Sequence, residues 1–281
     1  MLRFLTALSI ALLPLSVSAE GKFFDSNDVR IHFNDHGAGE PVILVHGMFD
    51  NAVVWDTLGV TDALTDAGFR VIALDMRGYG ESGKPHDPAK YGLEMSHDIA
   101  RLLDHLNINK VHVVGYSQGS LVANRFRAKH PGRLLTAILS GGGALNQESV
   151  WVSRASEFAD AVLKGDLGPM VRLHTPPGQQ PPTQEQLDAM YQQISSQNDM
   201  QAVAATIRAQ GFADSVDELR TNKVPTLALI GEADPTKKDV DAMVGVMSNL
   251  EVVVIPGADH GATLQDPMFL EETLKFLAKH R

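Results

Sequence analysis

The sequence predicts an α/β fold in which a doubly wound, mostly parallel sheet is covered by helices on both faces. Short apolar segments rich in β-branched residues alternate with longer amphipathic segments through most of the chain. The short segments are flanked by Gly, Asp or Pro, which is typical of buried parallel strands. Only residues 146–222 break the alternation, because they contain helical patterns and no strand-like segment. A connection this long predicts an inserted helical cap.

The amino terminus, residues 1–19, has the pattern of a secretory signal peptide. Arg3 precedes an apolar segment over residues 4–15, and Val17-Ser18-Ala19 supplies small residues for a signal peptidase. This apolar segment is shorter than the ~20 residues that a membrane-spanning helix requires. We therefore expect cleavage after Ala19, a periplasmic or secreted protein, and no membrane insertion once the signal is removed.

The remaining elements follow in order along the chain. An alternating segment at 29–33 predicts a half-buried edge strand, and unbroken apolar segments predict buried strands at 41–45, 71–74, 111–114, 137–139, 226–230 and 251–255. Apolar spacings of three and four predict helices at 54–67, 95–106, 118–130, 237–247 and 264–280, and within the insertion around 157–163, 187–195 and 202–209. The expected core therefore comprises residues 20–145 and 223–281, and the cap comprises 146–222.

Composition narrows the classes of function. The 281 residues include no cysteine, which excludes disulfides, thiolate metal sites and a cysteine nucleophile. Lys and Arg total 24 against 34 Asp and Glu, so the formal net charge is -10. Such an acidic chain is a poor partner for nucleic acid.

A candidate nucleophile lies in Gly115-Tyr116-Ser117-Gln118-Gly119, between the strand at 111–114 and the helix at 118–130. In this strand–turn–helix context, a G-x-S-x-G sequence forms a sharp turn that presents the serine hydroxyl. Side chains in place of the two glycines would collide with the neighbouring strand and helix. The context favours a catalytic Ser117 over a Gly-rich turn without a chemical role.

A serine nucleophile requires a base and a carboxylate that orients the base. His260 follows the strand at 251–255, and Asp234 follows the strand at 226–230, so both lie at strand carboxyl ends. The predicted order is therefore nucleophile Ser117, acid Asp234 and base His260. Glu232, Asp259 and Asp75 remain alternative acids.

The segment His46-Gly47-Met48-Phe49 follows the strand at 41–45 and is the expected place for an oxyanion hole. Two rigid backbone N–H groups are needed there, and the natural pair comes from Met48 and Gln118. His46 is interpreted as a structural residue that holds this loop by hydrogen bonds.

Together these motifs make the chain similar to the α/β-hydrolase superfamily. The resemblance rests on His46-Gly47 with Trp55 beyond it, 75–82 (DMRGYGES), 115–119 (GYSQG), 231–234 (GEAD) and 257–260 (GADH). It implies an eight-stranded, mostly parallel sheet, no cofactor, no metal, and a triad of Ser117, Asp234 and His260 below the helical cap. Within the resemblance, the turn at 77–80 has a structural role.

Serine at the turn indicates acyl transfer, so the leading hypothesis is a carboxylic ester hydrolase with a small-molecule ester substrate. The alternatives are a lactonase, a proline-type aminopeptidase, a C–C bond hydrolase, a perhydrolase and a ligand-binding protein without turnover. The substrate pocket is expected to include Phe49, Trp151, Phe158 and Met170, with Met48, Met190, Tyr191 and Phe212 as further candidates.

Overall fold

The computed structural model describes residues 21–144, 146, 149–176, 178–209 and 211–281. The predicted signal peptide and its cleavage site after Ala19 lie outside these residues. The described residues form one eight-stranded sheet, with strands β1 (Lys22–Ser26), β2 (Val29–Gly37), β3 (Glu40–Val45), β4 (Phe69–Leu74), β5 (Val111–Tyr116), β6 (Leu134–Ser140), β7 (Thr226–Gly231) and β8 (Leu250–Ile255).

The same residues form thirteen α-helices, most of which connect consecutive strands. They are α1 (Val53–Thr57), α2 (Val60–Asp66), α3 (Leu93–His105), α4 (Gln118–Lys129), α5 (Val150–Ser153), α6 (Ala155–Leu163), α7 (Gly168–His174), α8 (Gln184–Ser195), α9 (Met200–Arg208), α10 (Val216–Thr221), α11 (Lys237–Asp241), α12 (His260–Gln265) and α13 (Pro267–Lys279).

The strand order is β1-β2-β4-β3-β5-β6-β7-β8. Strands β1 and β2 pair antiparallel, β2 is antiparallel to β4, and every other neighbouring pair is parallel. This confirms the predicted eight-stranded, mostly parallel sheet. It also places the carboxyl ends of β3 to β8 along one edge.

Helices cover both faces because successive strand residues point to opposite sides. On β3, Ile43 and Val45 pack into a cluster with residues of α3 and α4, whereas Val42 and Leu44 pack with Trp55 of α1 and with residues of α13. All four strand residues are fully buried. Burial on both faces explains why this strand has no polar alternation in the sequence.

Several predicted boundaries were wrong. The segment at 29–33 belongs to β2, which is not an edge strand because β1 pairs along its outer side. The helix predicted at 54–67 is interrupted at Gly59, whose φ of 70° is left-handed, and α11 ends at Asp241 rather than at 247. The helix predicted at 264–280 is two helices, with Asp266 between them capping α13.

The long connection between β6 and β7 contains helices α5 to α10 and, among its described residues, no strand of the sheet. Helix α6 packs against α9, and Phe158, Val162 and Val203 are fully buried in this segment. None of the helices described is both long enough and apolar enough to cross a membrane. The division into core and cap remains a prediction, and these helices are the segment to which it applies.

Candidate active site

Three of the predicted site residues follow three different parallel strands. Ser117 comes directly after β5, Asp234 lies in the turn after β7, and His260 begins α12 after β8. Because those strands end at the same edge of the sheet, the three side chains meet although 143 positions separate Ser117 from His260.

The side chains form a continuous hydrogen-bonded line. His260 Nε2 lies 3.0 Å from Ser117 Oγ, and His260 Nδ1 lies 2.9 Å from Asp234 Oδ2. A carboxylate only accepts hydrogen bonds, so His260 Nδ1 carries the proton and donates it to Asp234. Nε2 of the neutral ring is then the acceptor for the Ser117 hydroxyl, which is the arrangement a general base requires.

Asp234 is held as a charged carboxylate. Its side chain is fully buried, and burial alone would raise the pKa of this carboxyl. Hydrogen bonding and charge attraction from His260, together with hydrogen bonds from Thr236, outweigh burial and lower the pKa of Asp234. Asp234 Oδ1 accepts one hydrogen bond from the Thr236 amide at 2.8 Å and another from the Thr236 hydroxyl at 2.7 Å. The carboxylate is therefore fixed in orientation.

The alternative acids have other partners. Glu232 accepts a hydrogen bond from the Gly257 amide at 2.9 Å, and Asp259 caps α12 by accepting from the Ala262 amide at 2.9 Å. Asp75 accepts from the amides of Ala52 and Glu81 and lies 2.8 Å from His32 Nδ1. Of the four carboxyl groups considered, only Asp234 bonds to His260.

The turn that presents Ser117 is strained, and its glycines are needed for close packing. Ser117 has φ 53°, a left-handed conformation that is unfavourable for a residue with a Cβ. A Cβ on Gly119 would lie 2.1 Å from the Val45 carbonyl oxygen, and one on Gly115 would lie 2.2 Å from the Gly119 carbonyl oxygen. Close packing of this turn against β3 therefore keeps the Ser117 side chain presented at the end of the strand, as the sequence predicts.

The loop after β3 runs beside the nucleophile. A Cβ on Gly47 would lie 3.5 Å from Ser117 Cβ, and Met48 and Gln118 line the same cavity as Ser117. Gln118 is the first residue of α4, where backbone N–H groups lack partners within the helix. His46 is buried, accepts from the Met76 amide at 3.1 Å and contacts the Gly47 carbonyl oxygen at 2.7 Å. His46 thus has the structural role expected of it.

A cavity of about 600 Å³ opens above Ser117 and His260. This volume lies within the range of small-molecule sites. Phe49, Trp151, Met170 and Met190 line it, in agreement with their predicted position. Further apolar lining comes from the β6–β7 connection, at Val150, Leu167, Val171, Leu173 and Ile194.

Three of the predicted pocket residues do not line the cavity. Phe158 is fully buried in the core of the connection, where its ring packs 5.5 Å from that of Trp151. Tyr191 packs toward Gly165, and Phe212 lines a separate, smaller cavity. For Phe158 the expectation of substrate contact is corrected, because its apolar side chain packs inside the helical layer rather than facing the cavity.

Two aromatic neighbours of His260 were missed in the sequence. The Tyr116 hydroxyl donates to the His260 carbonyl oxygen at 2.6 Å, and burial raises the pKa of Tyr116, so the hydroxyl remains protonated. The His174 ring centroid lies 4.5 Å from that of His260. Tyr116 lies inside the predicted motif, but no local pattern marks His174, which comes from α7, far from His260 in the chain.

Within the ranges that the structure describes, no group of three or more His, Asp or Glu side chains is arranged to hold a metal ion. Two carboxyl groups of the cavity lining, those of Asp50 and Asp239, have raised pKa values. Burial raises the pKa of Asp50, and burial raises the pKa of Asp239 to about 6.

The sequence and the fold of this chain are similar to those of known proteins. A family model described as the alpha/beta hydrolase fold matches residues 40–267. A non-heme haloperoxidase from Rhodococcus erythropolis is 30% identical over 258 residues, which cover 84% of this chain and 91% of the relative. The structure of a thermophilic esterase from Thermogutta terrifontis has a TM-score of 0.75 and 27% identity, covering 94% of this chain and all of that chain.

Other relatives match only in part. A 2-hydroxy-6-oxo-6-phenylhexa-2,4-dienoate hydrolase from Comamonas testosteroni is 34% identical over 142 residues. That alignment spans 50% of this chain and 47% of the relative.

Proposed function

The chain belongs to the α/β-hydrolase fold family, and we propose that it is a serine hydrolase that cleaves a small-molecule carboxylic ester. The observation that carries the proposal is the continuous Ser117–His260–Asp234 contact, with distances of 3.0 and 2.9 Å, at the base of a largely apolar cavity. A nucleophile, a base and an orienting acid in this order are the parts that acyl transfer requires.

In the proposed reaction, Ser117 Oγ attacks the ester carbonyl carbon while His260 Nε2 accepts the hydroxyl proton. His260 becomes an imidazolium, which the Asp234 carboxylate stabilises. The tetrahedral intermediate then collapses, the bond to the alcohol oxygen breaks, and His260 returns the proton to the departing alcohol. An acyl group remains on Ser117.

Water then completes the cycle. His260 accepts a proton from a water molecule that attacks the acyl carbonyl, and the carboxylic acid leaves as Ser117 regains its proton. In each half-reaction, we assign stabilisation of the negative oxygen to the backbone N–H groups of Met48 and Gln118. The position of Gln118 at the amino end of α4 supports this assignment because the helix dipole favours negative charge there.

A perhydrolase is the second candidate, favoured by the haloperoxidase relative that aligns over most of both chains. In that reaction, hydrogen peroxide rather than water attacks the acyl group on Ser117, which releases a peroxy acid. The esterase structure, similar over 94% of this chain, supports simple hydrolysis. Both reactions share the acyl-enzyme.

The first test is a stopped-flow burst assay with p-nitrophenyl acetate. We expect p-nitrophenol release in an amplitude matching the enzyme concentration, followed by steady turnover, and we expect Ser117→Ala to lose turnover by on the order of 10⁶-fold. Assays with a lactone, an amide and hydrogen peroxide on the same preparation separate ester hydrolysis from its alternatives. Absence of both burst and turnover on every ester tested favours a ligand-binding protein.

We also propose that the enzyme is exported. Support comes from the signal-like sequence of residues 1–19, with its positive start, apolar segment and small residues before Glu20. Expression of the full chain in a Gram-negative host, followed by fractionation and amino-terminal sequencing, should find a periplasmic protein that begins at Glu20. A cytoplasmic protein that retains residues 1–19 would contradict this proposal.

A further inference from the structure

His174, in the β6–β7 connection, lies directly against the proposed base. It is the last residue of α7, and its ring centroid lies 4.5 Å from that of His260, with the ring planes inclined by 45°. At this separation the two rings are in van der Waals contact. His174 also lines the cavity that contains Ser117.

The orientation and tautomer of His174 are fixed from within its own helix. Nδ1 lies 3.0 Å from the carbonyl oxygen of Met170, one turn earlier. A carbonyl oxygen only accepts, so Nδ1 carries the proton and Nε2 is left unprotonated. Nε2 has no hydrogen-bond partner among the described residues.

The ring is also kept neutral. Burial lowers the pKa of His174, and the neighbouring His260 lowers it further. A neutral imidazole attracts a cation to its π face, whereas a charged one would repel it. His174 is therefore suited to lie against a ring that becomes positively charged during the reaction.

We propose that His174 is a positioning residue that holds the His260 ring and stabilises the imidazolium formed during attack on the substrate. This inference rests on the proposed function, since only acyl transfer by Ser117 charges His260 at that moment. Tyr116 also contacts His260: its hydroxyl donates to the His260 backbone carbonyl, and its ring centroid lies 5.5 Å from that of His260. The β6–β7 connection thus supplies part of the catalytic environment and not only the pocket wall.

The test compares His174→Ala, His174→Phe and His174→Gln in steady-state turnover of p-nitrophenyl acetate. The imidazolium forms in both half-reactions, so His174→Ala should lower kcat by about two- to thirtyfold. KM should change by less than about twofold. His174→Phe keeps an aromatic face and should recover most of kcat, whereas His174→Gln keeps a hydrogen-bonding group and should not. His86→Ala, a more exposed histidine whose partner is Asp199, is the control and should match wild type.

Three results would overturn the proposal: an unchanged kcat in His174→Ala, a change confined to KM, or rescue by Gln and not by Phe. If His174→Ala does not fold, the comparison of His174→Phe with His174→Gln still shows whether the aromatic face or the hydrogen-bonding nitrogen of His174 is needed. A wild-type protein without an acyl burst would instead refute the proposed function, so the two failures are distinguishable.

Discussion

Replacing Asp234 by asparagine should nearly abolish turnover while leaving the site geometry in place. Asp234 Oδ1 accepts two hydrogen bonds from Thr236, so the amide oxygen of asparagine must take that position. The amide NH₂ group then faces His260 Nδ1 at the place where Oδ2 lies 2.9 Å away. Since NH₂ only donates, His260 must accept at Nδ1 and carry its proton on Nε2.

That tautomer turns the base into a donor toward Ser117, and the serine proton has no acceptor. The same substitution in a serine protease costs about 10⁴ in kcat, and full burial of the Asp234 side chain argues for a similar loss here. We expect a fall of roughly 10³- to 10⁴-fold, or about 4–5.5 kcal/mol of barrier, at pH 7.5. The assay is kcat for p-nitrophenyl acetate.

Two matched variants control for the loss of a nearby carboxylate. Glu232→Gln and Asp259→Asn each remove one negative charge close to the site, but their hydrogen bonds go to Gly257 and Ala262 rather than to His260. Each should keep turnover within about threefold of wild type, since neither changes the His260 tautomer. Near-normal activity in Asp234→Asn, together with collapse in Glu232→Gln, would refute the assignment of the acid.

Two further predictions concern stability and its dependence on pH. Gly119→Ala should lower Tm by about 3–10 °C, because its Cβ would lie 2.1 Å from the Val45 carbonyl oxygen; calorimetry showing an unchanged Tm would contradict the packing argument. Burial raises the pKa of Asp239 from 3.8 to about 6, so folding favours its protonated form, and wild-type stability should fall as pH rises between those values. Asp239→Asn should therefore raise Tm at pH 8 and leave it nearly unchanged at pH 3, and an equal shift at both values would exclude the carboxylate as the cause.

The positions of the parallel strands along the chain were predictable because each buried strand leaves a strong local signal. Strand β1 was missed because Lys22–Ser26 is short and partly charged, and its stability depends on pairing with β2, which no local pattern reveals. Gly59 and Asp266 interrupt two predicted helices, although the apolar periodicity of the sequence continues through both positions. Such interruptions depend on backbone conformation and capping that periodicity does not report.

The proposed nucleophile, acid and base were accessible from sequence because each follows a strand within a recognisable motif. The choice among carboxyl groups needed the structure, since it depends on which oxygen reaches His260 Nδ1. The side-chain positions of His174 and Phe158 could not be predicted from the sequence either. Which side of a helix in the β6–β7 connection faces the cavity is decided by packing between segments distant in the chain. Three pocket candidates were therefore misplaced, and His174, a close neighbour of His260, was overlooked.

The central claim is that Ser117 is the nucleophile and is activated by His260. Its most direct test is reaction of the protein with a fluorophosphonate probe, followed by intact-mass measurement and peptide mapping. We expect one adduct per chain, located on Ser117, with labelling lost in Ser117→Ala and strongly slowed in His260→Ala. An adduct on another residue, or undiminished labelling of the Ser117→Ala variant, would contradict it.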